Sequence, residues 1–442
     1  MQSITGRVFN VESKYITNPE SNEFITIWRN KLDNKYYGRR SDGTDELLAP
    51  DVPVNVGNTI YVDSVYGDNA AAVDGGIYDQ RYPFLTIFGA LSSASAGDII
   101  YLRKGIYSQT TISNPIADFY LEAGAVVRNI SNPDTFVRSD GDVLNIYGNG
   151  TIENGIAGSF VLVSLNNSII NVECNLIRKY NNIIGGALLS LTGATINAWV
   201  KEIDCSTQDF SYIAVIVDPN SKINLYADIC KYTFIGYLAQ SVGGKIIANV
   251  KNTVAYNSTI PNFFNGTGAS VGNGPGSEIV VNGDFSSATT VDPNGSGSAI
   301  LNYHISGAGS ITHNGGYSKI RNRYYARIQG SALGVINFNS DIENTQSVTT
   351  EGNGIYIDSG KIICKGKLKT LDTTTGVPII ASGGSLILDD YTYVSNGASP
   401  ESIFAAAPIN IKVYKSVTNK AWSANVTNTI VGSLNIVDAG VE

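Results

Sequence analysis

Four carboxylates stand at strand-like positions in the middle of the chain: Glu173, Glu202, Asp204 and Asp228. Two carboxyl groups suffice to cleave a glycosidic bond if they are ~5 Å apart for a retaining mechanism or ~6.5–9.5 Å for an inverting one. Asp389 and Asp390 form a further acidic pair. Tyr147, Trp199 and Tyr226 fall at matching positions of successive segments, with Glu173 in the same series. A row of aromatic faces can stack on sugar rings, and a carboxylate among them can bond hydroxyls. Outward aromatics also concentrate where subunits meet. The set Tyr147, Glu173, Trp199 and Tyr226 therefore reads either as a glycan-binding surface or as a subunit interface. The acids read first as solvated surface charge, because functional acids are a minority.

Other chemistries find little support. His304 and His313 are the two histidines, both near glycine-rich turns, and are expected on the surface. Cys174, Cys205, Cys230 and Cys364 form no CxxC pair, so no metal site and no cofactor is expected, and the thiols read as free and mostly buried. GNGPG at 272–276 lacks the lysine of a phosphate loop, and the stretch from Tyr256 to Ser277 reads as an exposed insertion. The net charge of −8, with no block of Lys or Arg, argues against nucleic acid. No apolar run reaches the ~18 residues of a membrane span, and Met1–Asn10 does not read as an export signal.

The elements that would position these residues come from a repeat. Apolar-Asn-apolar triplets occur at Leu144–Ile146, Ile170–Val172, Ile196–Ala198 and Ile223–Leu225, spaced 26, 26 and 27 residues apart. Two more stand at Ile409–Ile411 and Leu434–Ile436, with degenerate copies between. Inside each copy the alternation has period 2, so the copies are strands. Leu144, Ile170, Ile196 and Ile223 form one inward column; Ile146, Val172, Ala198 and Leu225 form the next; Gly148, Cys174, Val200 and Ala227 form a third. Asn149, Asn175, Lys201 and Asp228 fall in one outward column, and Tyr147, Glu173, Trp199 and Tyr226 in its neighbour. The column Asn145, Asn171, Asn197 and Asn224 reads as a ladder of amide hydrogen bonds. No repeat has room for a 10–15-residue helix, and the period is too short for a four-stranded propeller blade of ~40 residues. One such coil cannot bury its own apolar face; stacked coils can. The fold class expected is all-β: a single-stranded right-handed parallel β-helix with a small N-terminal β module and a capping helix.

That helix is Thr86–Gly97, with Ile87, Ala90, Leu91 and Ala94 on one face, directly before the strand Asp98–Leu102. The stretch Thr59–Tyr107, with its YVD…GD, its PFLTIFGALSSASAGDIIYL and short strands to follow, resembles the opening of the pectin-lyase-like β-helix superfamily. That superfamily includes polysaccharide lyases, glycoside hydrolases, and the tailspikes and fibres of bacteriophages. The resemblance implies a homotrimer and a bacteriophage virion appendage, a tail or head fibre or spike, that contacts host surface polysaccharide. The alternative it leaves is a polysaccharide-degrading tailspike or a secreted lyase or hydrolase. For a lyase, Lys201 beside Glu202 and Asp204 is the nearest basic-acidic group.

Residues 1–52 differ in character. Phe24–Trp28 and Lys35–Gly38 flank the turn Leu32-Asp33-Asn34, as in a hairpin, and Pro50–Pro53 reads as a linker. Three regions are expected: 1–52 as an attachment or oligomerisation module that meets other virion proteins, 53–97 as linker and cap, and 98–442 as the β-helix. Localisation on the virion surface follows from the resemblance.

Overall fold

The structure is a computed structural model. It describes residues 24–29, 36–40, 45–47, 58–131, 133–180, 185–206, 211–233, 237–241 and 243–256, and from 266 to 435 the strands with some of their turns. The chain divides into two compact units, Met1–Val56 and Gly57–Glu442. In the first, Phe24–Arg29 pairs antiparallel with Tyr36–Arg40, which pairs antiparallel with Asp45–Leu47. The hairpin expected around Leu32–Asn34 is thus present; the turn itself lies outside the described residues.

The second unit is a parallel β-solenoid. One sheet has 13 strands, from Ile112–Ser113 to Ala421–Trp422; the other has 19 and includes the first strand, Thr59–Val62, and the last, Leu434–Asn435. In the central coils a short strand of the first sheet turns a tight corner and leads into a longer strand of the second. Phe160–Ser164 leads in this way to Ile169–Lys179, and Gly185–Ser190 to Thr195–Asp204. Corners of two residues need left-handed backbone. Asn166 (φ 54°) and Asn167 (φ 61°) supply it in one coil and Thr192 (φ 53°) with Gly193 (φ 79°) in the next. Asn tolerates this region because its short polar side chain can bond locally. The corners also hold one another: the Asn166 N–H donates to Thr192 Oγ1 at 2.9 Å, and the Gly193 N–H to Asp218 Oδ1 at 3.2 Å.

Register is what the repeat predicts. Ile170 faces Ile196 and Ile196 faces Ile223; Val172, Ala198 and Leu225 follow in line, as do Cys174, Val200 and Ala227. All nine are buried in one continuous core. Each fully buried Ile or Leu contributes about 1.5–3 kcal/mol through removal from water. The four cysteines are buried and free. At the N-terminal end the core is closed by the helix Ile87–Ser93, whose Thr86 cap accepts from the Gly89 N–H at 3.0 Å. Ile87 and Ala90 are buried, and Leu91 and Ala94 pack against the core. The helix stops earlier than the expected Gly97. Ala94 is already extended, and Asp98 Oδ2 accepts from the Ser95 N–H at 2.8 Å, which bends the chain toward Ile99. A second short helix, Asn69–Gly75, is capped by Asp68.

Two expectations need correction. The glycine-rich stretch between Tyr256 and Ser277 is not simply an insertion: Gly266–Gly272 is a strand that pairs with Tyr237–Ser241 and with Ile300–Ile305. The coil needs a strand there to keep the 13-stranded sheet continuous, and that demand overrides weak local propensity. His313 is not a surface residue but fully buried. Register places it in an inward column, between Val281 and Phe338, and its Nε2 lies 2.9 Å from the carbonyl oxygen of Gly283. The side chain of His304 lies outside the described residues.

The asparagine ladder is present, with Asn145, Asn171 and Asn197 buried and Asn224 partly so. Asn224 Nδ2 donates to Asn197 Oδ1 at 2.8 Å, Asn197 to Asn171 at 2.8 Å, and Asn171 to Asn145 at 2.9 Å. Asn145 then donates both its backbone N–H and its Nδ2 to the carboxylate of Asp118, each at 2.9 Å. An acceptor-only carboxylate is the right terminus, since both groups facing it are donors. Burial lifts the Asp118 carboxyl above its usual range, against the pull of the Asn145 hydrogen bonds and the Arg138 charge. Replacing Asn171 by Ala strands the acceptor of Asn145 and the donor of Asn197, so it is expected to cost about 1–3 kcal/mol. The same change at exposed Asn175 is expected to stay within about 0.5 kcal/mol. Denaturant midpoints of N171A and N175A, compared with the parent, measure the difference.

Candidate functional site

The long strands of the 19-stranded sheet put alternate residues on the outer face, and register stacks them coil on coil at ~4.8 Å. Glu173 pairs with Trp199 and Trp199 with Tyr226, as the repeat predicts. The column runs further than expected in both directions. On the N-terminal side Tyr147 pairs with Tyr120, Tyr120 with Tyr101, and Tyr101 with Tyr61. On the other side Tyr226 pairs with Asn249, followed by Asn282, Asn314 and Asn339.

The rings of Trp199 and Tyr226 are nearly parallel, 3° apart with centroids 5.7 Å from each other. Tyr101 and Tyr120 stack at 5.0 Å, and Tyr61 and Tyr101 meet at 5.3 Å with a tilt. Tyr147, Glu173, Trp199 and Tyr226 are each half-buried, and Tyr120 is 36% exposed. Burial raises the phenol pKa of Tyr147, reinforced by the charges of Asp118 and Glu173. Burial alone raises that of Tyr226. The column is therefore a strip of neutral aromatic surface with one carboxylate set into it. Beyond Tyr226 its chemistry changes to amide. Asn339 donates to Asn314 at 2.7 Å, Asn314 to Asn282 at 2.9 Å, and Asn282 to Asn249 at 2.7 Å.

The other acids named from sequence are engaged elsewhere. Glu202 accepts from Lys231 at 2.6 Å, and Asp228 forms a 2.6 Å ion pair with Lys251. Asp204 accepts from the backbone N–H of Ser206 at 3.0 Å and from its hydroxyl at 2.6 Å. Lys201, Asn149 and Asn175 are exposed. Asp389 has a carboxyl pKa raised chiefly by burial, and Asp390 pairs in register with Lys367 and Lys415.

Two polar clusters were not foreseen, both beyond a bend in the long strands at Asn175, which drops out of register between Cys174 and Leu176. In the first, Glu153 is fully buried and lies in register between Arg128 and Arg178. One carboxylate oxygen accepts from Nε of Arg128; the other accepts from Nε of Arg178 at 3.0 Å and from its Nη2. The Tyr180 ring lies 5.6 Å from the Arg128 guanidinium carbon and 6.0 Å from that of Arg178. The signal was available: Arg128, Glu153 and Arg178 are spaced by the coil period of 25 residues. The second cluster faces inward. Lys179 is fully buried, and its ammonium donates to Asn154 Oδ1 at 2.8 Å, to Ser159 Oγ at 2.7 Å and to the Ile156 carbonyl.

Among the described residues no group of three or more His, Cys, Asp or Glu side chains is placed to hold a metal ion. Among them, too, no helix is long and apolar enough to cross a membrane. Comparison with protein-family profiles, with curated proteins and with solved structures finds no match to this chain.

Burial lowers the Lys179 pKa from 10.5 to about 8. Below about pH 8 the folded and unfolded chains both carry this proton, and the fold bears the cost of burying the charge. Between about pH 8 and 10.5 the unfolded chain holds the proton and the folded chain does not, so this group makes stability rise with pH. The unfolding free energy of wild type relative to K179M is expected to increase across that window. Urea unfolding of both proteins at pH 7.5, 8.5 and 9.5 checks it; a difference that does not change with pH would exclude a depressed lysine.

Proposed function

We propose that this chain is a structural and adhesive appendage of a bacteriophage particle, a tail or head fibre or spike, assembled as a homotrimer and contacting host surface glycan. The observation that carries the reading is the outer column from Tyr61 through Tyr147, Glu173, Trp199 and Tyr226 to Asn339. Stacked rings followed by stacked amides offer apolar faces and then donors and acceptors, the two contacts a sugar chain uses. The motif from Thr59 to Tyr107 supports a pectin-lyase-like β-helix, a superfamily to which tailspikes and fibres belong along with lyases and hydrolases. A unit at Met1–Val56 separate from the solenoid supports an attachment role for the N-terminal region. The ion pairs that occupy Glu202 and Asp228 favour binding over cleavage.

Two measurements test this. Light scattering is expected to give three times the chain mass, before and after deletion of residues 1–52. A panel of purified bacterial capsular and O-antigen polysaccharides is expected to include a ligand whose binding W199A and Y226A each weaken about tenfold, a cost of ~1.4 kcal/mol. A monomer that binds no polysaccharide overturns the reading. Release of new reducing or unsaturated chain ends, abolished in E173Q, would replace it with a depolymerase.

A further inference from the structure

The arrangement at Glu153 is more than a salt bridge needs. One guanidinium neutralises a buried carboxylate; here two are drawn onto it. Arg128 and Arg178 together with Glu153 carry a net charge of +1 on an acidic chain. Both guanidiniums keep an open side, with side chains 34% and 38% exposed. Arg128 gives only its Nε–H to Glu153, and Arg178 gives its Nε–H and one Nη2 hydrogen. The remaining N–H groups of the two forks make no hydrogen bond to any described residue. Tyr180 lies against both guanidiniums and, with Glu153 beneath them, restricts their orientation.

The nearest charge in the same column is Asp204, which pairs in register with Arg178 but bonds to Ser206. Lys231 follows and is held by Glu202. Lys231 and Glu202 offset each other, and the one remaining negative charge, on Asp204, is taken up by Ser206 rather than by a guanidinium of the pair. Guanidinium forks fixed in this way suit carboxylate and sulfate geometry, and little side-chain entropy remains to be lost on binding.

We propose that Arg128 and Arg178, held by buried Glu153 and by Tyr180, form a binding site for an oxyanion, either a free inorganic anion or the acid group of a larger ligand. The site lies beyond the strand bend from the aromatic column and stands independently of the function proposed for that column. The test follows the two Arg Nε–Hε resonances of the full chain by NMR, assigned with R128Q and R178Q, at constant ionic strength. Sodium sulfate, glucuronate and glucose are the probes. Saturable shifts with sulfate or glucuronate, and none with glucose, are expected. Each Gln variant leaves one arginine on Glu153 and is expected to weaken anion binding about tenfold at the remaining resonance. Saturation by sulfate alone assigns the site to a free ion; preference for glucuronate assigns it to an acid group on a larger ligand. Shifts that match those given by chloride, or an affinity unchanged in both variants, overturn the proposal. If a Gln variant does not fold, R128K and R178K keep the charge, remove the fork, and are expected to show the same weakening.

Discussion

Parallel pairing between successive coils is the constraint from which the rest of this structure follows. Once each strand must hydrogen-bond to the strands of the coils before and after it, every side chain acquires two neighbours at the same position, ~4.8 Å away. A residue is then tolerated only if it can live beside its own kind or beside a complement. Aliphatic side chains meet this by packing, asparagines by passing a hydrogen bond along, rings by stacking, and charges by alternating in sign. All four solutions occur here. The core columns through Ile170 and Val172 are aliphatic, those through Asn171 and Asn282 are amide, the outer column through Trp199 is aromatic, and the sequence Arg128, Glu153, Arg178, Asp204, Lys231 alternates.

The outer face also exchanges its chemistry partway along. Up to Tyr226 the amides occupy one column and the aromatics lie two residues on. At the following coil Ile247 stands in line with Asn224 and Asn249 in line with Tyr226. Apolar and amide columns thus trade places within a single step. In the second column the amides then continue through Asn282, Asn314 and Asn339, while the first passes to Val280 and Thr312.

Much of this was legible in the sequence because the coils from 144 to 227 differ little in length. The inward columns, the first amide ladder and the Glu173–Trp199–Tyr226 series all come from that stretch, where counting residues is equivalent to counting coils. The signal fades where the spacing varies. The second ladder joins Asn249 to Asn282 across 33 positions and Asn282 to Asn314 across 32, so a fixed period misses it. His313 was misplaced for the same reason: its immediate neighbours are polar and small, while its column, set by coils far away in sequence, is the core. Glu153 is legible only through the cations a coil away on either side of it, at Arg128 and Arg178, and not through any carboxylate near it in sequence.

The first amide ladder has a direction. Every Asn side chain gives its hydrogen to the coil before it, so the amide dipoles are aligned and the ladder has a positive end, where Asp118 sits. This is the electrostatic logic of an acidic residue at the start of a helix, transposed to side chains. It makes the coils unequal as building units. A coil inserted between those of Asn171 and Asn197 extends the series if it brings its own asparagine. The coil of Asp118 accepts hydrogen bonds without passing one on, so it can only begin the series. The ladder therefore has a fixed origin, the coil of Asp118, from which its length can be counted.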